Sequence, residues 1–253
     1  MIRRGKKTLE THNLTKTYGA RNVVEDVSVA VQSREIVGLL GPNGAGKTTT
    51  FRMIMGIIRP NTGTIHLDGV DITKRTLTRR ARQGIGYLSQ EPSIFRRLTV
   101  EENIMVVLEN MPMAEHKRHQ RCEELMSQAE IAHLTGRKAE TLSGGEKRRL
   151  EICRALAAQP RILLLDEPFS GVDPIAVAEL QEIIVNLKQH RLGILITDHS
   201  VRETLEVTDR AYILNEGRIL TQGSSEDLIN DPIVRETYLG ENFYFREQAP
   251  ESN

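Results

Sequence analysis

Gly41-Pro42-Asn43-Gly44-Ala45-Gly46-Lys47-Thr48 packs three glycines, a lysine and a threonine into eight residues. Glycine lets a backbone curl around phosphate with its N–H groups pointing inward, and a helix beginning there adds its positive end. Lys47 would neutralise the β and γ phosphates, Thr48 would hold Mg²⁺, and Thr49 would extend the same cradle. A second element lies downstream in Ile162-Leu163-Leu164-Leu165-Asp166-Glu167. An apolar strand leaves Asp166 at its carboxyl end, where sheet folds bind ligands. From there Asp166 acts on Mg²⁺ through its water shell, and Glu167 polarises an attacking water.

The elements that must hold these residues follow from periodicity. Thr8 to Leu14, Val23 to Val31 and Glu35 to Leu40 read as strands, and residues 46–58 as a helix with Phe51, Ile54 and Ile58 on one face. Ile65 to Leu67 and Gly84 to Leu88 are short strands. Residues 91–158 contain no strand pattern: Val100, Ile104, Val107 and Leu108 form a helical stripe, Ala114 to Ile131 is a polar helix, and Ser143 to Ala158 starts at a serine cap. After Pro160 the alternation returns, with Ile162 to Leu165 and Gly193 to Thr197 as strands, 175–190 as a helix, and Ala211 to Leu220 as a hairpin. The expectation is an α/β fold with a mainly parallel core sheet, an antiparallel β portion and a helical subdomain. The core spans about 8–90 and 159–240, the helical subdomain about 91–158, and 241–253 is a polar tail around Phe243-Tyr244-Phe245 that frays.

Composition narrows the function classes. The 253 residues carry a formal net charge of zero, which gives no support to nucleic-acid binding. Cys122 and Cys153 show no spacing pattern and suit a reducing compartment. No run approaches membrane-spanning length, so membrane association comes only through partners. The basic start, with Arg3, Arg4, Lys6 and Lys7, could touch anionic lipid, though a disordered tail is the better reading.

Together the motifs resemble those of an ATP-binding-cassette (ABC) ATPase, the motor subunit of a transporter, from about Leu9 to Gly240. Leu142-Ser143-Gly144-Gly145-Glu146 carries most of that resemblance. In the family this motif binds the γ-phosphate of ATP held by the other protomer, which assigns Ser143, Gly144 and Gly145 to the nucleotide and implies a homodimer. The resemblance further implies that Tyr18 stacks on adenine and that Gln90 senses Mg²⁺ and the transporter. Asp173 would cross the dimer interface, and His199 would contact the γ-phosphate. Glu146 stands where glutamine is usual and Gly171-Val172 where Ala-Leu is usual; both read as subfamily marks. In Ser93-Ile94-Phe95-Arg96-Arg97-Leu98, Phe95 and Arg96 fall where the family receives a helix from the membrane subunit. The alternative buries Phe95 within the helical part.

GPNGAGKTTTF, SIFRRL, DEPFSGVDPIAV, ITDHSVRETL and the ending from Val234 to Phe243 resemble the ATPases of lipopolysaccharide export. That subfamily implies two transmembrane permease subunits and a place on the cytoplasmic face of a bacterial inner membrane. The runner-up is a branched-chain amino-acid importer. A non-transport ABC ATPase fits less well, because such chains carry two cassettes or a long coiled-coil insert. Intact Glu167 and His199 argue against a non-hydrolysing regulator. Three weaker features have plain readings. His116 and His119 are surface residues, and Cys153 is a small core residue. Lys147-Arg148-Arg149 reads equally as a phosphate or partner contact and as a solvated helix face.

Overall fold

The computed structural model describes residues 8–240, so the basic start and the Phe243-Tyr244-Phe245 cluster lie outside the described residues. Among the described residues eleven strands run β1 (Thr8–Tyr18), β2 (Arg21–Val27), β3 (Ala30–Gln32), β4 (Ile36–Leu40), β5 (Thr62–Leu67), β6 (Val70–Asp71), β7 (Ile85–Leu88), β8 (Ile162–Asp166), β9 (Gly193–Thr197), β10 (Arg210–Asn215) and β11 (Arg218–Gly223). The helices are α1 (Lys47–Met55), α2 (Leu77–Arg82), α3 (Val100–Leu108), α4 (Glu115–Gln128), α5 (Gly144–Ala157), α6 (Pro174–Gln189), α7 (Val201–Val207), α8 (Ser225–Asn230) and α9 (Pro232–Val234), followed by a π-helical turn at Arg235–Leu239.

One sheet has the order β11-β10-β4-β9-β8-β7 and is parallel except for the β10–β11 hairpin; the other is antiparallel, with order β2-β1-β5-β6 and β3 beside β1. In β8 every residue is buried, which explains its unbroken apolar run. Ile162 and Leu164 face a cluster shared with the antiparallel sheet and with Phe51, Met53 and Ile54 of α1. Leu163 and Leu165 face the opposite cluster, to which α3, α4, α5 and α6 contribute Ile104, Leu125, Leu150 and Leu180. Among the described residues, 91–158 holds helices and a single isolated bridge, Thr99 to Lys138.

Several boundaries differ from the sequence expectation. Val23 to Val31 is split between β2 and β3, because Val29 N–H is captured by Thr11 Oγ1 at 2.8 Å. The helix expected over 46–58 stops at Met55, capped by Gly56 in the left-handed region (φ 79°). Helices α2, α7, α8 and α9 lack an apolar stripe long enough to read from sequence.

Helix α2 is held by one side chain. Arg80 is fully buried, and its guanidinium donates to the carbonyls of Met53 (2.7 Å), Ile54 (2.6 Å), Thr73 (2.8 Å) and Arg75 (3.0 Å). Two of those carbonyls end α1, so a cation sits at the negative end of the helix whose other end follows the glycine loop. Burial lowers its pKa to about 10, which still leaves it charged at neutral pH. Arg80→Ala should destabilise the protein by about 3 kcal/mol, because it strands buried carbonyls. Arg80→Lys should recover only part of that, since an ammonium cannot match the planar fork. Urea unfolding midpoints of the two variants check both statements.

Candidate functional site

The glycines of the first motif differ in what they permit. A Cβ on Gly41 (φ 144°) would lie 2.0 Å from Leu214 O, and one on Gly46 (φ 106°) 2.5 Å from Val23 O. Gly44 (φ 81°) faces open space, so conformation alone demands glycine there. The loop is thus pressed against β10 and β2 on one side and open on the other. Pro42, Asn43 and Ala45 complete the loop between β4 and α1, and Thr48 and Thr49 lie in the first turn of α1. Lys47 Nζ curls back to donate to Gly41 O (2.7 Å) and Pro42 O (3.0 Å). Desolvation lowers its pKa, while the charges of Glu167, Asp166 and Asp198 pull it up.

Those carboxylates are organised around Glu167. Its Oε2 accepts from Gln90 Nε2 at 2.9 Å and lies 3.4 Å from His199 Nδ1. Gln90, Glu167 and His199 therefore meet on one oxygen although they come from the ends of three strands. Glu167 itself is left-handed (φ 49°), and its N–H is tied to Thr197 O at 2.7 Å. A non-glycine residue held there costs about 1–2 kcal/mol, and such strain clusters where a side chain must be aimed.

Asp166 is almost fully buried; Tyr87 Oη donates to its Oδ2 at 3.0 Å, while its Oδ1 is buried without a hydrogen-bond partner. Burial pushes its pKa up, with the Glu167 charge adding to the rise and Tyr87 opposing it. An orphaned carboxylate oxygen one position from Glu167 fits a hard divalent cation, which takes oxygen ligands. The Thr48 hydroxyl also makes no hydrogen bond among the described residues, so the oxygens present suit Mg²⁺.

A second group of residues gathers elsewhere. Ser143 caps α5 in a reciprocal box: its Oγ accepts from Glu146 N–H (3.2 Å) and Glu146 Oε2 accepts from Ser143 N–H (2.6 Å). The bond from the Ser143 N–H holds the Glu146 carboxyl below its ordinary pKa. Ser143, Gly145 and Asp173 line one groove with Ile175, which is 76% exposed. Gly145 is required by packing, since a Cβ would meet Ala176 Cβ at 2.6 Å, while Gly144 has room. Asp173 caps α6 by accepting from Ala176 N–H at 3.0 Å. Among the described residues no hydrogen bond joins this group to Lys47, Gln90, Asp166 or Glu167.

Tyr18 stands half exposed at the β1–β2 turn with Lys16 Nζ 5.2 Å from its ring centroid. Phe95 is 46% exposed; the Arg154 guanidinium covers one face at 4.7 Å, and Asn103 holds both its backbone N–H and carbonyl. Arg96 is exposed, and its carbonyl accepts from Glu140 N–H. His116 and His119 are exposed, and Cys153 is buried with its Sγ donating to Leu125 O.

Arg148 corrects the reading of the basic run. It is neither a solvated face nor an exposed contact, being 6% exposed. Its Nε donates to Pro168 O (3.1 Å), Nη1 to Ser89 O (2.9 Å) and Glu151 Oε2 (2.8 Å), and Nη2 to Asp166 O (3.1 Å) and Glu167 O (2.9 Å). Glu151 Oε1 accepts in turn from Ser93 N–H at 2.7 Å. No local pattern announces this role, because its partners are mostly backbone carbonyls distant in sequence.

Comparison with known proteins decides the family. The ABC transporter family profile matches residues 24–170. The chain belongs to the ABC transporter ATP-binding family. It is an ATPase subunit that powers transport. The lipopolysaccharide export system ATP-binding protein LptB of Acidithiobacillus ferridurans is 52% identical over 235 residues, covering 93% of this chain and 98% of that protein. The protein of the same name from Escherichia coli K12 is 53% identical over 237 residues, with the same coverages. The ADP conformation of MJ1267, an ATP-binding cassette of an ABC transporter, superposes with a TM-score of 0.83 at 27% identity, over 93% of this chain and 99% of that one. A dimeric post-hydrolysis cassette, MJ0796 bound to ADP and Pi, reaches 0.75 at 25% identity, over 86% and 98%.

Two consequences follow for this ATPase. Because burial raises the folded-state pKa of Asp166, its charged form costs stability above that pKa, and the cost fades as pH falls toward the ordinary carboxylate range. Asp166→Asn should therefore raise the nucleotide-free melting temperature at pH 7, by a margin that shrinks on acidification, while hydrolysis is lost. Thermal melts from pH 7 to pH 4 and a phosphate-release assay read both. Arg148→Ala should lower stability by about 3–5 kcal/mol, because Glu151 is left charged and buried. The pair Arg148→Met with Glu151→Met should regain much of that in urea melts without regaining hydrolysis.

Proposed function

We propose that this chain is the ATP-hydrolysing subunit of a lipopolysaccharide export complex, acting as a homodimer beneath two transmembrane permease subunits on the cytoplasmic face of a bacterial inner membrane. The observation that carries this reading is the 52–53% identity, across 93% of the chain, to proteins bearing that name. It is consistent that no described helix is long and apolar enough to cross a membrane.

In this reading Gly41 to Thr49 cradle the phosphates, Lys47 neutralises them, and Tyr18 stacks on adenine. Thr48, Gln90 and Asp166 hold Mg²⁺, which when bound withdraws charge from the phosphates. Glu167 accepts a proton from the attacking water, with Gln90 and His199 orienting its carboxylate. Ser143, Gly144, Gly145 and Asp173 serve ATP held by the second copy, where the start of α5 offers N–H groups and a positive dipole end. Support comes from the separation of the two groups within one chain, the second group opening onto its own groove. Residues of about 91–158 form a helical subdomain beside a core of about 8–90 and 159–240, and Phe95 with Arg96 receives the permease. Support for that contact is a half-exposed aromatic ring braced by an arginine.

Glu167→Gln keeps the hydrogen bond to Gln90 yet removes the base. With Mg-ATP the variant should bind nucleotide, stop turning over and elute as a dimer in size-exclusion chromatography; hydrolysis at the parental rate would remove Glu167 from its role. Used as bait in solubilised source membranes, the same variant tests the transporter. Two different membrane proteins with large periplasmic domains support lipopolysaccharide export. Small permeases lacking such domains point to amino-acid import, and capture of soluble proteins alone overturns the transport complex.

A further inference from the structure

Helix α2 inverts the usual amphipathic pattern. Surface helices bury an apolar stripe. Of the six residues in α2 only Arg80 is buried, so its inward side carries a cation, and Leu77 is left 42% exposed. The Arg80 guanidinium makes this possible by tying Thr73 O and Arg75 O, just before α2, to Met53 O and Ile54 O of α1. Gly56 fits against the same junction: a Cβ there would lie 2.8 Å from Arg80 Nε and 3.0 Å from Arg75 O. Ile57, the next residue, is 49% exposed. Two exposed apolar side chains therefore stand on the elements that Arg80 joins.

The same ledge is strongly cationic. From Thr73 to Gln83 the chain holds Lys74, Arg75, Arg79, Arg80 and Arg82 and no acid, in a protein whose formal net charge is zero. Lys74, Arg79 and Arg82 are exposed, and Arg75 is half-buried. None of these four forms an ion pair among the described residues. The nearest acid in sequence, Asp71, has Oδ1 accepting from Thr73 N–H at 2.7 Å. Arg79 and Arg82 fall in the last turn of α2, where the helix dipole favours a cation. Lys74 and Arg75 precede the first turn, where the same dipole opposes one. Neither internal pairing nor helix stability accounts for the whole cluster.

An anionic lipid leaflet supplies what the ledge lacks: phosphates for the unpaired cations and an acyl boundary for Leu77 and Ile57. Long exposed side chains with no partner to fix their rotamers suit a fluid array of headgroups better than the fixed carboxylates of a protein. Nucleic acid fits less well, since no aromatic residue stands among these cations for a base to stack on.

We propose that the α2 ledge docks on anionic phospholipid, with Lys74, Arg75, Arg79 and Arg82 on headgroup phosphates and Leu77 and Ile57 at the acyl boundary. The contact gives the chain a hold on the membrane besides its permease partners and uses none of the nucleotide residues.

The test is sedimentation of the full-length chain with vesicles of phosphatidylcholine alone and of equal parts phosphatidylcholine and phosphatidylglycerol. The parent should bind only the second kind, and added salt should release it. Lys74→Gln combined with Arg79→Gln and Arg82→Gln should weaken that binding about a hundredfold, each cation contributing a factor of about five. Leu77→Ser should cause a smaller loss. Both variants keep Arg80 and should match the parent in melting temperature and ATP hydrolysis, which separates lost binding from lost folding. A triple variant that sediments like the parent overturns the proposal and leaves the basic start, Arg3 to Lys7, as the lipid contact. A parent that ignores the anionic vesicles, or binds both kinds equally, overturns it as well.

Discussion

A guanidinium has five N–H donors, and Arg148 places all five on acceptors: the carbonyls of Ser89, Asp166, Glu167 and Pro168 and the carboxylate of Glu151. Such saturation is what makes a buried cation tolerable. It also fixes geometry. Arg148 sits in the second turn of α5, so the Ser143 cap cannot shift relative to the Glu167 peptide without breaking several charge-assisted bonds at once. Through Glu151 the same unit grips Ser93 N–H, two residues before Phe95. Three candidate functional regions are thus held by one ion pair and its carbonyls.

Around that fixed unit the candidate catalytic groups are arranged at a cost. Glu167 is left-handed, Asp166 and Asp198 are charged groups raised in pKa by burial, and Asp166 Oδ1 has no partner. Each is unfavourable alone. The unbroken apolar strands β8 and β9, buried on both faces, supply the stability that offsets them. The charges of three carboxylates act on Lys47 while its ammonium is tied to loop carbonyls, so charge is partly balanced before nucleotide arrives. Electrostatic preorganisation of this kind lets a site meet developing charge without rebuilding itself during the reaction.

What could be read from sequence follows the same physics. The glycine loop was legible because phosphate binding by backbone N–H groups dictates residue types at fixed spacing; β8 was legible because burial on both faces demands an apolar run. The α5 start was legible because Ser143 and Glu146 satisfy each other locally. Arg148 and Arg80 were not. Their partners are mostly carbonyls from distant segments, and a backbone group leaves no mark on residue type. Val23 to Val31 misled for a related reason: the break depends on Thr11, which tertiary folding brings to Val29.

The two groups of candidate residues also explain each other. Within one chain, Ser143, Gly145 and Asp173 form a finished structure, with every cap made and Gly145 packed on Ala176. The same segment leaves Ile175 exposed on its groove. The Lys47–Glu167 group has the opposite character, with strained backbone, an orphaned oxygen and an open rim at Gly44. A surface whose internal bonds are complete is suited to act as a rigid lid, and a site with unmet needs is suited to be covered. In the proposed homodimer, a lid on the second copy would make closure depend on what the first copy holds, so nucleotide occupancy would become a force between protomers. Arg148 would carry that force inward, because the helix proposed as the lid for one nucleotide is bonded to the Glu167 carbonyl beside the other.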